Sequence, residues 1–188
     1  MTGGSKLLCE FEGTTLIRRV ASTALSAGLE PVVVVLGHDG RALQSALAGL
    51  AVRHARAPRA PRGRLVSLIA GVEALTEDSV VGAMVLLGDE PGLTADHIGT
   101  VREAAAADRS IVLRAAFRDR PGHPVLLPAP VLRSLPDLAR GHEPESSLWD
   151  LMVRSGVPHS SVPIDALAPV DIDTRDDLER ATERESDT

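Results

Sequence analysis

Residues 80–91 read Val80-Val-Gly-Ala-Met-Val-Leu-Leu-Gly-Asp-Glu-Pro91, an apolar run that stops at Gly88 and is followed at once by two acids and a proline. A run this short, rich in Val and Leu and closed by turn residues, is the pattern of a strand covered on both faces. Residues 31–36 (PVVVVL) repeat the pattern ahead of a Gly-His-Asp-Gly turn. Around these two runs the apolar period becomes helical. Leu16, Ile17, Val20, Ala21, Ala24 and Leu25 share one helix face, with Thr14 or Thr15 as cap and Gly28 where a helix end favours positive φ. Further helices are expected over 42–50, 65–75, 94–107 and 146–154, and from Thr174, with Asp177 three residues on as a capping-box-like partner. Shorter strands are expected at 52–54, 111–115, 124–127 and 160–163, the middle pair joined through Arg118 to Gly122. Strands alternating with helices predict an α/β fold, doubly wound, with a mostly parallel sheet.

The chain has 188 residues, 44% of them hydrophobic, which suits one domain over 1–188 with a frayed polar tail at 183–188. Aromatic residues make up 2%, and the net charge is −6. Both features argue against nucleic acid, which is bound through basic surfaces and stacking platforms. The single cysteine, Cys9, excludes a disulfide framework within the chain and a zinc cluster built on cysteines. No apolar run approaches a membrane span of roughly 20 residues, and the N-terminus does not resemble a secretory signal. No membrane partner is expected, and the expected location is the cytoplasm. Residues 53–64 hold five arginines together with Pro58 and Pro61 and are expected to form a mobile loop.

Ligands of doubly wound sheets bind at the carboxyl ends of the strands, so the polar residues that follow apolar runs are the first candidates. Asp89 stands there, where a carboxylate suits Mg²⁺, an ion that prefers oxygen ligands and bridges to phosphates. It reads equally well as a turn residue. Asp171 and Asp173 flank Ile172, and in an extended segment they would project to one side. Asp173-Thr174 also reads as a helix cap. Lys6 follows Gly3, Gly4 and Ser5, a fragment of what a phosphate cradle needs, although no Walker loop occurs. His123 lies in a turn and could contact a ligand, although a lone histidine in a turn is more often structural or merely exposed.

Taken in order, these pieces resemble the nucleotidyltransferases of molybdenum-cofactor biosynthesis, with the cytidylyltransferase branch closer than the guanylyltransferase branch. Lys6-Leu7-Leu8 followed by Leu16-Ile17-Arg18-Arg19-Val20 is similar to that family's K-L-L stretch and first helix. Residues 32–37 resemble its V-V-V-L-G strand, and 63–71 (GRLVSLIAG) its G-M-S-x-S-L-x-x-G segment. Leu87-Gly88-Asp89-Glu90-Pro91 resembles L-G-D-Q-P, and Gly122-His123-Pro124-Val125-Leu126 resembles G-H-P-V-L. Asp171-Ile172-Asp173-Thr174, with Asp177-Leu178, resembles D-I-D-T-P-E-D-L.

The resemblance implies a Rossmann-like fold of the nucleotide-diphospho-sugar transferase type. It also implies transfer of a nucleoside monophosphate, CMP above all, from CTP or GTP to the phosphate of a molybdopterin-type cofactor, with release of pyrophosphate. Asp89 and Asp173, supported by Asp171, would hold Mg²⁺. Lys6 and Asp89 would be catalytic, Gly3, Gly4, Lys6, Gly63 and Ser67 would meet the nucleotide, and His123 the acceptor. A molybdoenzyme or its chaperone is an implied protein partner.

The match is not complete. Family members open with a strand and an L-A-A-G-x-G-x-R-M-G-x-x-K loop, and Met1 falls on the Met of that motif. The first strand and most of the glycine-rich loop are therefore expected to be missing, which predicts a less stable and poorly active form. Leu65 and Val66 replace the usual hydroxyl residues, and His142 stands where an Asp is usual. Two alternatives remain: a degenerate paralogue that binds a nucleotide or protein partner without catalysis, and a nucleotidyltransferase with another small phosphorylated or sugar-like acceptor.

Overall fold

A 3-10 turn at Lys6–Leu8 opens the structure, a computed structural model that describes residues 5–37, 39–57, 63–75 and 80–186, without the side chains of 175 and 183–186. Gly3, Gly4 and residues 58–62 of the arginine-rich segment lie outside the described residues. Two short strands follow, β1 (Glu10–Phe11) and β2 (Thr14–Thr15), and then α1 (Leu16–Ser26), β3 (Val32–Leu36), α2 (Gly40–Ala46) and β4 (Val52–Arg56). After α3 (Arg64–Glu73) come β5 (Gly82–Val85), α4 (Ala95–Ala104), β6 (Val112–Ala116) and β7 (Pro121–Pro128). The chain ends with α5 (Ala129–Leu138), α6 (Leu148–Arg154), β8 (His159–Pro163) and α7 (Arg175–Ser186).

The helix ends follow local chemistry. Thr94 and His97 form a reciprocal capping box at α4, and the Ser147 hydroxyl accepts from the Asp150 amide at α6. At α7 the Thr174 hydroxyl accepts from the Asp177 amide while Asp177 accepts from the Thr174 amide, as the spacing predicts. Gly28 takes φ 72° just beyond α1.

The fold is mixed α/β with a parallel-rich sheet. β3 pairs in parallel with β4, and β6 in parallel with β8. β7 runs antiparallel to both β5 and β6, because the connection from β6 to β7 is too short for the crossover that a parallel pair requires. Apolar clusters cover both faces of this sheet. Leu65, Leu127, Leu132, Leu135, Leu151 and Met152 pack on one face, and Val101, Leu113, Phe117, Val162 and Ile164 on the other.

Four features differ from expectation. Arg53 and Arg56 belong to β4 and Arg64 opens α3, so those arginines stand on regular elements and not on a mobile loop. The helix α7 continues to Ser186 through the segment expected to fray. The helix α5 was masked in the sequence by Pro128, Pro130 and Pro136; Pro130 sits in the first turn, where its fixed φ suits a helix start. Finally, β5 is not buried on both faces: all four of its residues are only half-buried. The physical reason is that the main sheet is split. Strands β3 and β4 form one piece and β5-β7-β6-β8 another, and among the described residues no strand pairs with the second edge of β3 or of β5.

Candidate active site

Three charged side chains meet beyond the carboxyl end of β5. The Lys6 ammonium lies 2.5 Å from Asp89 Oδ2 and 2.5 Å from Asp173 Oδ1. Burial alone would lower the Lys6 pKa, but the hydrogen bonds and charges of Asp173 and Asp89 outweigh it and hold the pKa above its ordinary value. Each partner is placed by backbone structure. Lys6 stands in the 3-10 turn, where the Cys9 amide donates to its carbonyl at 2.9 Å. Asp89 follows β5 through Gly88, where an added Cβ would press on Ile17 and Leu7. Asp173 follows Ile172, which is fully buried among Phe11, Leu16 and Ala181 and whose amide donates to the Asp89 carbonyl at 3.0 Å.

Asp171 goes elsewhere. Residues 170–172 do not form a strand, so the same-side argument for Asp171 and Asp173 does not apply, and Asp171 faces Arg120 at 3.4 Å. The Arg120 guanidinium also donates to the Pro169 carbonyl at 2.5 Å. Among the described residues no group of three or more His, Cys, Asp or Glu side chains gathers in the manner of a metal cluster. The donor set is thus two carboxylates converging on one cation. That fits Mg²⁺, which commonly takes one or two carboxylates and completes its shell with water and substrate phosphates.

Glu90, which the sequence reading quoted without assigning a role, is the buried charge of the site. It is 2% exposed, and its Oε2 lies 3.6 Å from His123 Nδ1. Burial pushes its carboxyl pKa up and nearby Asp171 adds to this, while His123 opposes. The available signal was the substitution itself, since Glu90 stands where the resembled motif has Gln.

Ser67 and His123 line one cavity of about 660 Å³ that reaches Gly88, beside Asp89. The Ser67 hydroxyl donates to the Gly63 carbonyl at 3.4 Å. Gly63 has φ 151° at the start of α3, and its Cα lies so close to Pro144 that a side chain would strike the backbone there. That contact gives Gly63 a packing reason of its own. Arg114 also lines the cavity, with its guanidinium 3.8 Å above the ring of Trp149. Sequence reasoning missed both, because the pair depends on register across β6 and α6.

Among the described residues no helix is long and apolar enough to cross a membrane. Several solved structures are similar over nearly the whole chain. A Mycobacterium tuberculosis protein, Rv0371c, solved with manganese, is 23% identical, with 96% of this chain and 93% of that one covered at a TM-score of 0.77. The 2-C-methyl-D-erythritol 4-phosphate cytidylyltransferase of Thermus thermophilus is 21% identical over 97% and 94%, at 0.75. These two share the fold. A nucleotidyl transferase from Methanothermobacter thermautotrophicus is 28% identical over 95% and 84%, at 0.78. Residues 1–156 match the MobA-like NTP transferase domain family, and the chain, with its acid-lysine cluster at the carboxyl end of β5, belongs to that family of nucleotidyltransferases.

Proposed function

We propose that this nucleotidyltransferase transfers CMP from CTP to the terminal phosphate of a molybdopterin-type cofactor. An acceptor phosphate oxygen attacks the α-phosphorus, a new P–O bond forms, and the bond to the bridging oxygen breaks so that pyrophosphate leaves. Positioning and charge neutralisation carry such a step, with no covalent help from the protein. The observation that carries the reading is the convergence of Asp89 and Asp173 on a single cationic group. When bound there, Mg²⁺ would supply charge neutralisation for the triphosphate, held by these two carboxylates. Lys6 would then turn its ammonium to the phosphates, and Ser67 and the Gly63 turn would flank the nucleotide. His123, set by buried Glu90, would face the acceptor. Gly3 and Gly4 would add backbone N–H groups to the phosphates. Asp171 enters this reading as the partner of Arg120, which holds Pro169 and Asp171 just ahead of Asp173. The cytidylyltransferase and manganese-bound relatives support the choice of CTP and of a divalent ion.

The test is pyrophosphate release from CTP, and separately from GTP, with Mg²⁺ and molybdopterin cofactor. Release with CTP that is lost in Asp89→Asn supports the reading. Release with another phosphorylated acceptor but not with molybdopterin overturns the acceptor, and unchanged turnover in Asp89→Asn overturns the role of Asp89.

A further inference from the structure

Arg114 occupies the centre of β6, two residues from Val112 and so on the same face, the one that packs against α5 and α6. It is half-buried, and its guanidinium carbon lies 3.8 Å from the centre of the Trp149 ring. Its Nε is buried and has no hydrogen-bond partner among the described residues. Burial lowers its pKa, and no carboxylate opposes that shift. A cation drawn out of water without an anion is unfavourable. The ring quadrupole offsets part of this. A ring meets a guanidinium on its flat face, however, and leaves the N–H groups in the guanidinium plane without acceptors. An apolar side chain of similar length would pack on Trp149 without that cost.

The surroundings place this cation beside His123. Arg114 pairs with Val125 across the β6–β7 ladder, but the next residue, Ala115, pairs with Gly122, so His123 and Pro124 are the extra residues of a bulge. Bulges re-aim side chains and are frequent next to active sites. Arg114, Gly122, His123 and Trp149 all line the cavity. The Trp149 ring is itself held, since His159 of β8 meets it edge-on at 4.8 Å and Ser147 caps α6 two residues before it. The other charged side chains on the cavity wall are placed differently. The Arg64 guanidinium donates to the Glu145 carbonyl at 2.9 and 3.3 Å, and Glu30 stands ahead of the amino end of β3.

We infer that Arg114, backed by Trp149, binds an oxyanion of the acceptor, a phosphate or carboxylate group, and so selects acceptors that carry one. This rests on the reading that the acceptor enters beside His123. An oxyanion supplies both things the site lacks: a negative charge, and oxygens that accept from the guanidinium edge in fork geometry. A hydroxyl or amide would leave the cation uncompensated. Stacking on Trp149 fixes the guanidinium plane before the anion arrives, so little side-chain freedom is lost on binding. Lysine would keep the charge but not the flat contact with the ring or the fork.

Trp149 is the one tryptophan of a chain without tyrosine, so its emission reads this site directly. Inorganic phosphate and acetate are titrated against sodium chloride at equal ionic strength, with the parent, Arg114→Lys, Arg114→Met and Lys6→Met, each shown to be folded by its thermal transition. A saturable emission change is expected with phosphate or acetate and not with chloride. It should persist in Lys6→Met, need about tenfold more anion in Arg114→Lys, and vanish in Arg114→Met. Where Arg114→Met does not fold, Arg114→Lys decides, and a half-saturation equal to the parent's overturns the proposal. No saturable change in the parent, or one matched by chloride, overturns it. So does the same change with cytidine, which would make Trp149 a base-stacking surface, and so does loss of the response in Lys6→Met, which would put the anion beside the acids. In turnover, Arg114→Met should raise the acceptor KM and leave the KM for CTP unchanged; an unchanged acceptor KM overturns the proposal. The emission titrations need no turnover, so an anion response without nucleotidyl transfer supports the Arg114 site and refutes the proposed reaction.

Discussion

The amide of Ile172 donates to the carbonyl of Asp89 at 3.0 Å, and this one backbone bond joins the two segments that carry the acidic pair. Asp89 belongs to the loop after β5, while Asp173 belongs to the approach to α7. The tie sets the two segments side by side, where their carboxylates face one cation. The tie is reinforced by the Ile172 side chain, which is completely buried with Phe11, Leu16 and Ala181. Ile172→Ala is expected to destabilise the protein by about 2–5 kcal/mol, through lost burial and the cavity left behind. It should also weaken Mn²⁺ binding, read by paramagnetic relaxation, in the fraction that remains folded. Stability loss with unchanged Mn²⁺ binding would show that the acidic pair does not depend on this anchor.

On the proposed reading, Lys6 and a divalent ion would compete for the same two oxygens, because the ammonium lies at 2.5 Å from each carboxylate. Lys6→Met removes the competitor and leaves two acids that repel one another unless a cation joins them. Mn²⁺ affinity should therefore rise, while pyrophosphate release falls about 10²-fold as the triphosphate loses a positive charge. Lys6→Arg should restore part of the release. A fall in both affinity and release would instead make Lys6 a support of the acidic pair.

Elements with strong periodicity, such as α1 and β3, were legible in the sequence because short-range pattern alone specifies them. The helix α5 was not assigned: it begins beside Pro128, carries Pro130 in its first turn and holds Pro136 inside, where a proline is unusual in a helix. Asp89 was legible as an acid at the end of an apolar run, and Asp173 as one of two acids flanking Ile172. Their meeting with Lys6, 167 positions away from Asp173, is a tertiary fact that no local pattern contains. Asp171 was misplaced because the period-two argument assumes an extended chain, and residues 170–172 are not a strand. Arg114 on Trp149 was invisible for the same reason as the buried state of Glu90: both depend on which elements pack together.

Glu90 makes stability depend on pH with a sign opposite to that of most carboxylates. Its folded pKa is raised, chiefly by burial, above its ordinary value of 4.5. Between the unfolded and folded values the native state binds more protons than the unfolded one. This contribution to stability is therefore present at low pH and is lost as pH rises through the folded pKa. Glu90→Gln keeps the shape without the ionisation. It should be more stable than the parent at about pH 8, with the difference shrinking toward pH 4.5, as read from urea midpoints. A constant difference across that range would mean that Glu90 does not titrate on unfolding.

Asp177 works in the other direction. Its carboxylate accepts from the Thr174 hydroxyl, the Thr174 amide and the Asp173 amide, and it is paired with Arg180. These bonds, the Thr174 hydroxyl foremost, depress its pKa from 3.8 to about 2. The stability it contributes is thus complete above 3.8 and is lost as pH falls through about 2. Asp177→Asn should weaken the start of α7 at neutral pH and loosen the Asp173 amide, with a lower helix content in this segment by amide exchange. Because Asn keeps an acceptor oxygen but not the charge, the mutant and the parent should converge as the acid limit is approached. The mutant should also bind Mn²⁺ less tightly at neutral pH, since Asp173 is held by the same carboxylate. Identical Mn²⁺ affinity in the two proteins would separate the cap of α7 from the acidic pair.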